Sequence, residues 1–502
     1  MIAKLRFVLS ITMLFVGFCG LGQQNYWEPV IAQSVTAKGV SPGEALFDLN
    51  IAVFSKVLDH VNERQSYVMQ FPDANGKVHS FMVRETPIFH PDLSKKYPEI
   101  KSFTGVSSDG ALKIKFSTAS NGIQGMLINS KKGETSFLKR DKSVKNRYEV
   151  YRKKLEETEA TFICGTKTFL PFKSASVANR LVDGQTQRTY RIAVSTTGEY
   201  SNYHGGTAAG ALAAINATLT RVNAVFETDL GVRLQLVPNN DQIIFTDAST
   251  DPYSGNFNAQ VQNTLTNTIG EENYDVGHLF HRDNDNGNAV FIGSVCVDNR
   301  KGSAFASALV PEGDSFDLDY VAHELGHQFG ANHTWSFESE GTGVQVEPAS
   351  GTTIMGYAGI VNGNNLAPNG DDYFHHASIV QIQDYLETTA CAVSTNIGNS
   401  PPSVSPLSNY VIPKGTPFVL TANAIDTDGD MLTYAWEQID NGIVVTSTFG
   451  PENISGANFR SLPPTTAQER YFPNLNQILN GNLEHENHAI NTSWETCSNV
   501  QR

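Results

Sequence analysis

Cysteine is scarce in this chain, with five in 502 residues. Cys19 falls inside an N-terminal apolar run. Cys164, Cys296, Cys391 and Cys497 are too few for a dense disulfide framework and leave room for one or two bridges, so stability has to come from a core. Positive charge is scarce too, 36 Lys and Arg against 51 Asp and Glu. The shortage is local: Thr189 to Thr389 holds 6 Lys/Arg against 24 Asp/Glu, a formal −18, while the rest of the chain sums to +3. So acidic a segment is an unsuitable partner for nucleic acid. Beyond the N-terminus no apolar run reaches the roughly 20 residues of a membrane span. Solenoid repeats and long low-complexity tracts are missing as well. The length suits about three folded domains, and 40% hydrophobic content is enough for sizeable cores.

The N-terminus has Lys4 and Arg6, an apolar run from Phe7 to Phe18, and Gly20-Leu21-Gly22 before Gln23. This is the pattern of a cleavable secretory signal over 1–22, and it predicts a secreted, extracellular protein without a membrane span. Phe18 before Cys19 does not fit a lipoprotein site. From 23 to 187 short alternating runs, such as Ser66 to Phe71, Phe81 to Arg84 and Ala111 to Phe116, are broken by Gly, Asp and Asn turns and predict a β-rich leader domain. Ten Lys/Arg lie between Lys131 and Lys154. Beside so acidic a neighbour they suggest electrostatic docking of the leader; a solvated helix face around Glu149 to Glu159 is the alternative.

A polar stretch, Ser174 to Arg188, precedes a change of character. Over 188–396, strands at Tyr190–Val194, Val232–Val237, Asp275–Phe280 and Ala289–Val295 alternate with an Ala-rich helix from Thr207 to Phe226, which predicts an α/β (α+β) domain. Asn399 to Pro406 is a Pro/Ser linker. Within 397–502, runs at Phe418–Thr421 and Met431–Trp436 predict a partial immunoglobulin- or cadherin-like β-sandwich, with too few strands to close. Asp426, Asp428 and Asp430 alternate in a Gly-containing loop, a spacing suited to calcium as well as to an ordinary turn.

The densest chemistry is the run His323-Glu-Leu-Gly-His327-Gln-Phe-Gly330-Ala-Asn-His333. Histidines four apart on a helix sit one turn above each other and can bind one ion. Tyr320, Val321, Leu325 and Phe329 give the helix an apolar stripe, and Asp317 or Ser315 is placed to cap it. Gly330 permits the sharp turn that returns His333 as a third ligand. Three imidazoles leave a coordination position open, as catalytic zinc requires; structural zinc is closed by four protein ligands. The full pattern arises by chance in roughly one in ten thousand chains of this length, so coincidence is a poor explanation.

This run resembles the HExxHxxGxxH zinc signature of the metzincins. The resemblance extends to Gly351-Thr-Thr-Ile-Met355-Gly-Tyr-Ala358, similar to the methionine turn of that clan, with Met355 starting 22 residues after His333. It implies a metzincin catalytic domain with a long zinc-binding helix, Met355 as an apolar floor beneath the histidines, and Gly356 to Ile360 as one wall of the pocket for the residue after the scissile bond. Within the clan, residues 188 to 393 are most similar to reprolysin-like (adamalysin-like) enzymes of the secreted bacterial type. Those usually carry Asp directly after the third histidine, where this chain has Thr334.

The resemblance also implies a disulfide between Cys296 and Cys391. It gives Cys164, ahead of the catalytic domain, the place of a cysteine whose thiolate caps the zinc of a proenzyme. A structural cysteine, free or paired with Cys497, is the other reading of Cys164. The expected activity is hydrolysis of internal peptide bonds of proteins with zinc as cofactor and Glu324 as proton carrier, from a latent precursor whose propeptide ends near Arg180 or Arg188. A secreted adhesive protein with a silent zinc domain is the rival from another class, and the intact Glu324 argues against it. A zinc hydrolase of non-peptide amides is the second rival.

Overall fold

The structure, a computed structural model, describes residues 25–30, 44–153, 162–167, 184–485 and 495–500. The expected signal at 1–22, Arg180 and most of the polar stretch before Arg188 lie outside the described residues.

The leader forms a nine-stranded antiparallel sheet from β1 (Trp27–Pro29), β2 (Glu44–Leu49), β3 (Tyr67–Pro72), β4 (Val78–Glu85), β5 (Lys101–Val106), β6 (Leu112–Ala119), β7 (Gly122–Asn129), β8 (Glu134–Arg140) and β9 (Arg147–Tyr151). Their order is β1-β2-β9-β8-β7-β6-β5-β4-β3. The period-2 pattern decides the faces. Ile114 and Phe116 of β6 join Trp27, Phe47, Phe71 and Phe81 in an aromatic core closed by Phe54 of helix α1 (Ile51–Leu58). Lys115, between them, turns to the other face and pairs with Glu227.

A second, mixed sheet follows. Its strands are β10 (Ile163–Cys164), β11 (Thr186–Thr196), β12 (Val232–Leu236), β13 (Val276–His281), β14 (Asn286–Asn288), β15 (Ala304–Ser307) and β16 (Val393–Asn396). The order is β10-β14-β15-β13-β11-β12, with β16 also on β11. Strands β11, β12, β13 and β15 run parallel, and β14 pairs antiparallel with β15. Every residue of β13 is buried, as for a central strand covered on both faces.

Between the two sheets lies the helix Ala208–Asp229, capped by Thr207, whose hydroxyl accepts from Gly210 N at 3.0 Å. It is buried on all sides from Ala211 to Phe226, so its polar residues need partners. Asn216 meets Ser102 and the Lys101 carbonyl, Asn223 brackets Leu234, and Arg221 pairs with Asp317. Residues of both sheets share one core, which runs from Ile88 and Phe89 through Phe137 to Phe329 and Leu386.

Four local expectations differ from the structure. Residues 289–295 lie outside the strands, because Val290 and Gly293 adopt positive φ (62° and 72°), which a strand does not admit. The zinc-motif helix is short: a π-helical stretch, Ser315–Ala322, runs into a six-residue α-helix, His323–Gln328. Neither Asp317 nor Ser315 caps it; Asp317 is buried inside the helical run, where it takes Arg221 and Thr218. In the C-terminal segment the described residues form two-stranded ladders, Phe418–Thr421 with Glu469–Phe472 the longest, and Met431 to Trp436 contributes one bridge, Tyr434 to Thr465. No sandwich closes among the described residues, and no helix there is long and apolar enough to cross a membrane.

Candidate metal centre

The short helix presents His323 and His327 on one face. Gly330, at φ 111°, then reverses the chain; a Cβ there would come within 2.8 Å of Tyr385, so the turn requires glycine in both conformation and space. His333 returns beside the helix, and the Nε2 atoms of His327 and His333 stand 3.0 Å apart. Each imidazole is fixed by its far nitrogen: Nδ1 of His323 donates to the Ile354 carbonyl at 2.7 Å, that of His327 to the Ala331 carbonyl at 2.8 Å, and that of His333 to Glu340 Oε1 at 2.8 Å. The three Nε2 atoms are therefore lone-pair donors facing one space. His323 Nε2 is buried without a hydrogen-bond partner. Two lone pairs 3.0 Å apart and an orphaned third, all buried, fit a shared cation and suit little else. Burial also pushes His323 and His333 down to about 3, and burial together with the neighbouring His333 and His323 holds His327 well below its ordinary value, which keeps the rings neutral and able to ligate.

Cys164 joins the same cluster, its ligand atom and those of the three histidines lying within 4.8 Å of one another. It is carried by β10, which runs parallel to β14 at the sheet edge, Cys164 opposite Gly287. Its Sγ lies 3.6 Å from His327 Nε2, and burial together with Glu324 pushes the thiol well up from its ordinary value. Cys497 is free and buried elsewhere, so the two cysteines do not pair. Cys296 and Cys391 form a disulfide that encloses the histidines and Met355.

Glu324 is fully buried beside the cluster. The Thr166 hydroxyl donates to its Oε2 at 3.2 Å, and Oε1 has no partner. Burial lifts its carboxyl to about 8. Met355 is buried under the helix, where a Cβ on Gly326 would lie 2.5 Å from its sulfur. The sequence thus places glycine where the chain at Met355 packs against the helix. The Tyr357 hydroxyl reaches His333 Nε2 at 2.9 Å.

Thr334 has a defined role. Its hydroxyl donates to Glu347 Oε2 at 2.6 Å, and the same carboxylate accepts from the amides of Thr352 and Thr353 at 3.0 and 3.2 Å. Glu347 therefore ties the residue after the third histidine to the loop that leads into Met355. Glu347, Glu340 and Thr166 are absent from the motif, and nothing in their spacing marks them; Tyr357 falls within the Met355 segment, but its contact with His333 is not expected from it.

The acidic loop at Asp426, Asp428 and Asp430 does not support the calcium expectation. The three carboxylates lie within 4.8 Å of one another, but Asp426 accepts from the amides of Asp428 and Asp430, the bonding of a turn, and Asp428 accepts from the amide of Ser400 across the linker.

Beside His323 a cavity of about 360 Å³ opens between the π-helical stretch and the chain after Met355, lined by Phe316, Asp319, Tyr320, Tyr357, Ile360 and Gly370 among others. Residues 186–386 match a family model described as Metallo-peptidase family M12B, Reprolysin-like. No curated protein matches the chain.

Proposed function

The chain carries a reprolysin-like M12B metallopeptidase domain at residues 186–386, and on that premise we propose that it is a zinc-dependent endopeptidase, secreted as a latent precursor. The observation that carries the reading is the convergence of three neutral imidazole nitrogens beside a buried, half-satisfied glutamate. His323, His327 and His333 would hold zinc, which supplies polarisation of the scissile carbonyl and acidification of water. Glu324 takes a proton from the attacking water and passes it to the leaving amine; its free Oε1 is the atom available for this. Thr166, by occupying Oε2, fixes the orientation of the carboxylate. Met355 supports the histidines from below.

In this reading residues 23–187 are the propeptide, 188–396 the catalytic domain, and 397–502 a linker with a partial β-sandwich. Latency is supported by two features of the 162–167 segment. It lies along the edge strand that an extended peptide substrate would join by strand addition, and it brings the Cys164 sulfur to the position of a fourth ligand. Secretion rests on the N-terminal pattern Lys4 to Gly22.

Zinc content and casein cleavage, with and without a chelator, test the reading. Glu324→Ala should retain one zinc per chain and lose about 10²–10⁴-fold in turnover. Cleavage by that variant at the wild-type rate would remove Glu324 from its role. Absence of cleavage by the processed, zinc-loaded wild type would favour a silent binding protein.

A further inference from the structure

The cavity beside His323 has a charge that the leader hides. Asp285, Glu312 and Asp319 line it, and no lysine or arginine does. Two of these carboxylates are neutralised by leader lysines: Lys142 pairs with Glu312, and Lys153 Nζ sits 2.9 Å from Asp319 Oδ1, 2.7 Å from Asp372 Oδ1 and 2.8 Å from the Gly370 carbonyl. Lys153 is thus a bound ammonium held by three oxygens, two of which belong to residues of the cavity wall. Nearer the histidines the leader's Phe162 stacks on Tyr320, ring centres 4.1 Å apart. Asp319, Tyr320 and His323 lie within five residues of one another on the helical run and all line the cavity, so one long side chain can pass from the ligand end towards the carboxylate.

We propose that this cavity, once the leader has left, selects a lysine or arginine side chain immediately after the scissile bond, the stem lying along Tyr320 and the cation meeting Asp319 and Asp372. The proposal rests on the peptidase reading and adds the substrate class to it. In the precursor, Lys153 fills by charge the place the substrate cation will take, and Phe162 fills by stacking the place of its stem. Asp319 and Asp372 share one ammonium in the precursor, and its departure leaves two like charges side by side, so a substrate that returns a cation between them is favoured over an apolar one.

The test uses the full chain, activated by limited proteolysis and loaded with zinc, on peptides that differ only in carrying Lys, Arg, Leu, Phe or Glu after the scissile bond. The kcat/KM ratio of Lys or Arg over Leu should be about tenfold in the wild type and fall at least fivefold in Asp319→Asn or Asp372→Asn. A wild-type ratio at or below one, or a ratio that neither substitution moves, overturns the proposal. Calorimetric binding of Arg-Ala and Leu-Ala dipeptides to the processed Glu324→Ala protein reads the pocket without turnover: tighter binding of Arg-Ala supports it, equal or weaker binding overturns it. Failure to cut any peptide would instead count against the peptidase reading.

Discussion

The sulfur of Cys164 and Nε2 of His327 stand 3.6 Å apart, one on a strand of the leader and the other on the motif helix. A thiolate at that distance can reach a cation held by the imidazoles. Cys164→Ala in the uncleaved chain should therefore raise peptide hydrolysis at least tenfold, with little effect once the leader is removed. Equal activity of the two uncleaved proteins would exclude this route to latency.

Glu340 fixes the third histidine through its Nδ1–H. Such partners set ring orientation and ligand basicity, and their loss typically costs about 10–100-fold in metal affinity. Glu340→Ala should show that loss in competition with a chelator while its far-ultraviolet circular dichroism stays that of the wild type. Unchanged affinity would assign the bond to folding alone.

Arg221 and Asp317 are both essentially inaccessible and lie 2.7 Å apart, joining the long central helix to the run that bears the motif. Arg221→Met leaves a buried carboxylate without its cation and should cost about 3–5 kcal/mol, whereas Arg221→Met with Asp317→Leu should recover much of it. Denaturant unfolding of the three proteins measures this; additive losses would show that the pair is not coupled.

His278 lies in the fully buried strand β13, its Nδ1–H donated to Gln328 Oε1 at 3.0 Å, and burial pushes it from 6.5 down to about 4. The unfolded chain takes up this proton near pH 6.5 and the folded one only near 4, so in that interval the unfolded state binds more protons. Stability is complete above 6.5 and falls as the pH drops towards 4, by about 3 kcal/mol for this one group. In His278→Asn, which keeps a donor for Gln328, the Tm should fall less steeply between pH 7 and 4.5. An identical slope would place the acid sensitivity elsewhere.

The parts that were legible in the sequence are those whose spacing is local. His323, His327, Gly330 and His333 are brought together by one helix and one turn, and Tyr190, Val232 and the Ala-rich helix follow their periodicity. The supporting groups were not legible, since Glu340, Glu347 and Thr166 reach the site through loops or from another domain, where spacing carries no signal. Residues 289–295 look like a strand by composition, yet Val290 and Gly293 take left-handed conformations that no alternation rule detects. The ten basic residues of the leader suggested docking by charge, and Lys142 and Lys153 do pair with acids of the following region; Lys139 and Arg152, by contrast, pair within the leader itself.

The bridge between Cys296 and Cys391 makes a covalent ring of the chain that carries His323, His327, His333 and Met355. A single nick anywhere inside that ring, including one made by the enzyme on itself, leaves both fragments tethered. Such a molecule would run as one species on a non-reducing gel and as two after reduction, and its ligands would stay together for as long as the sulfurs do.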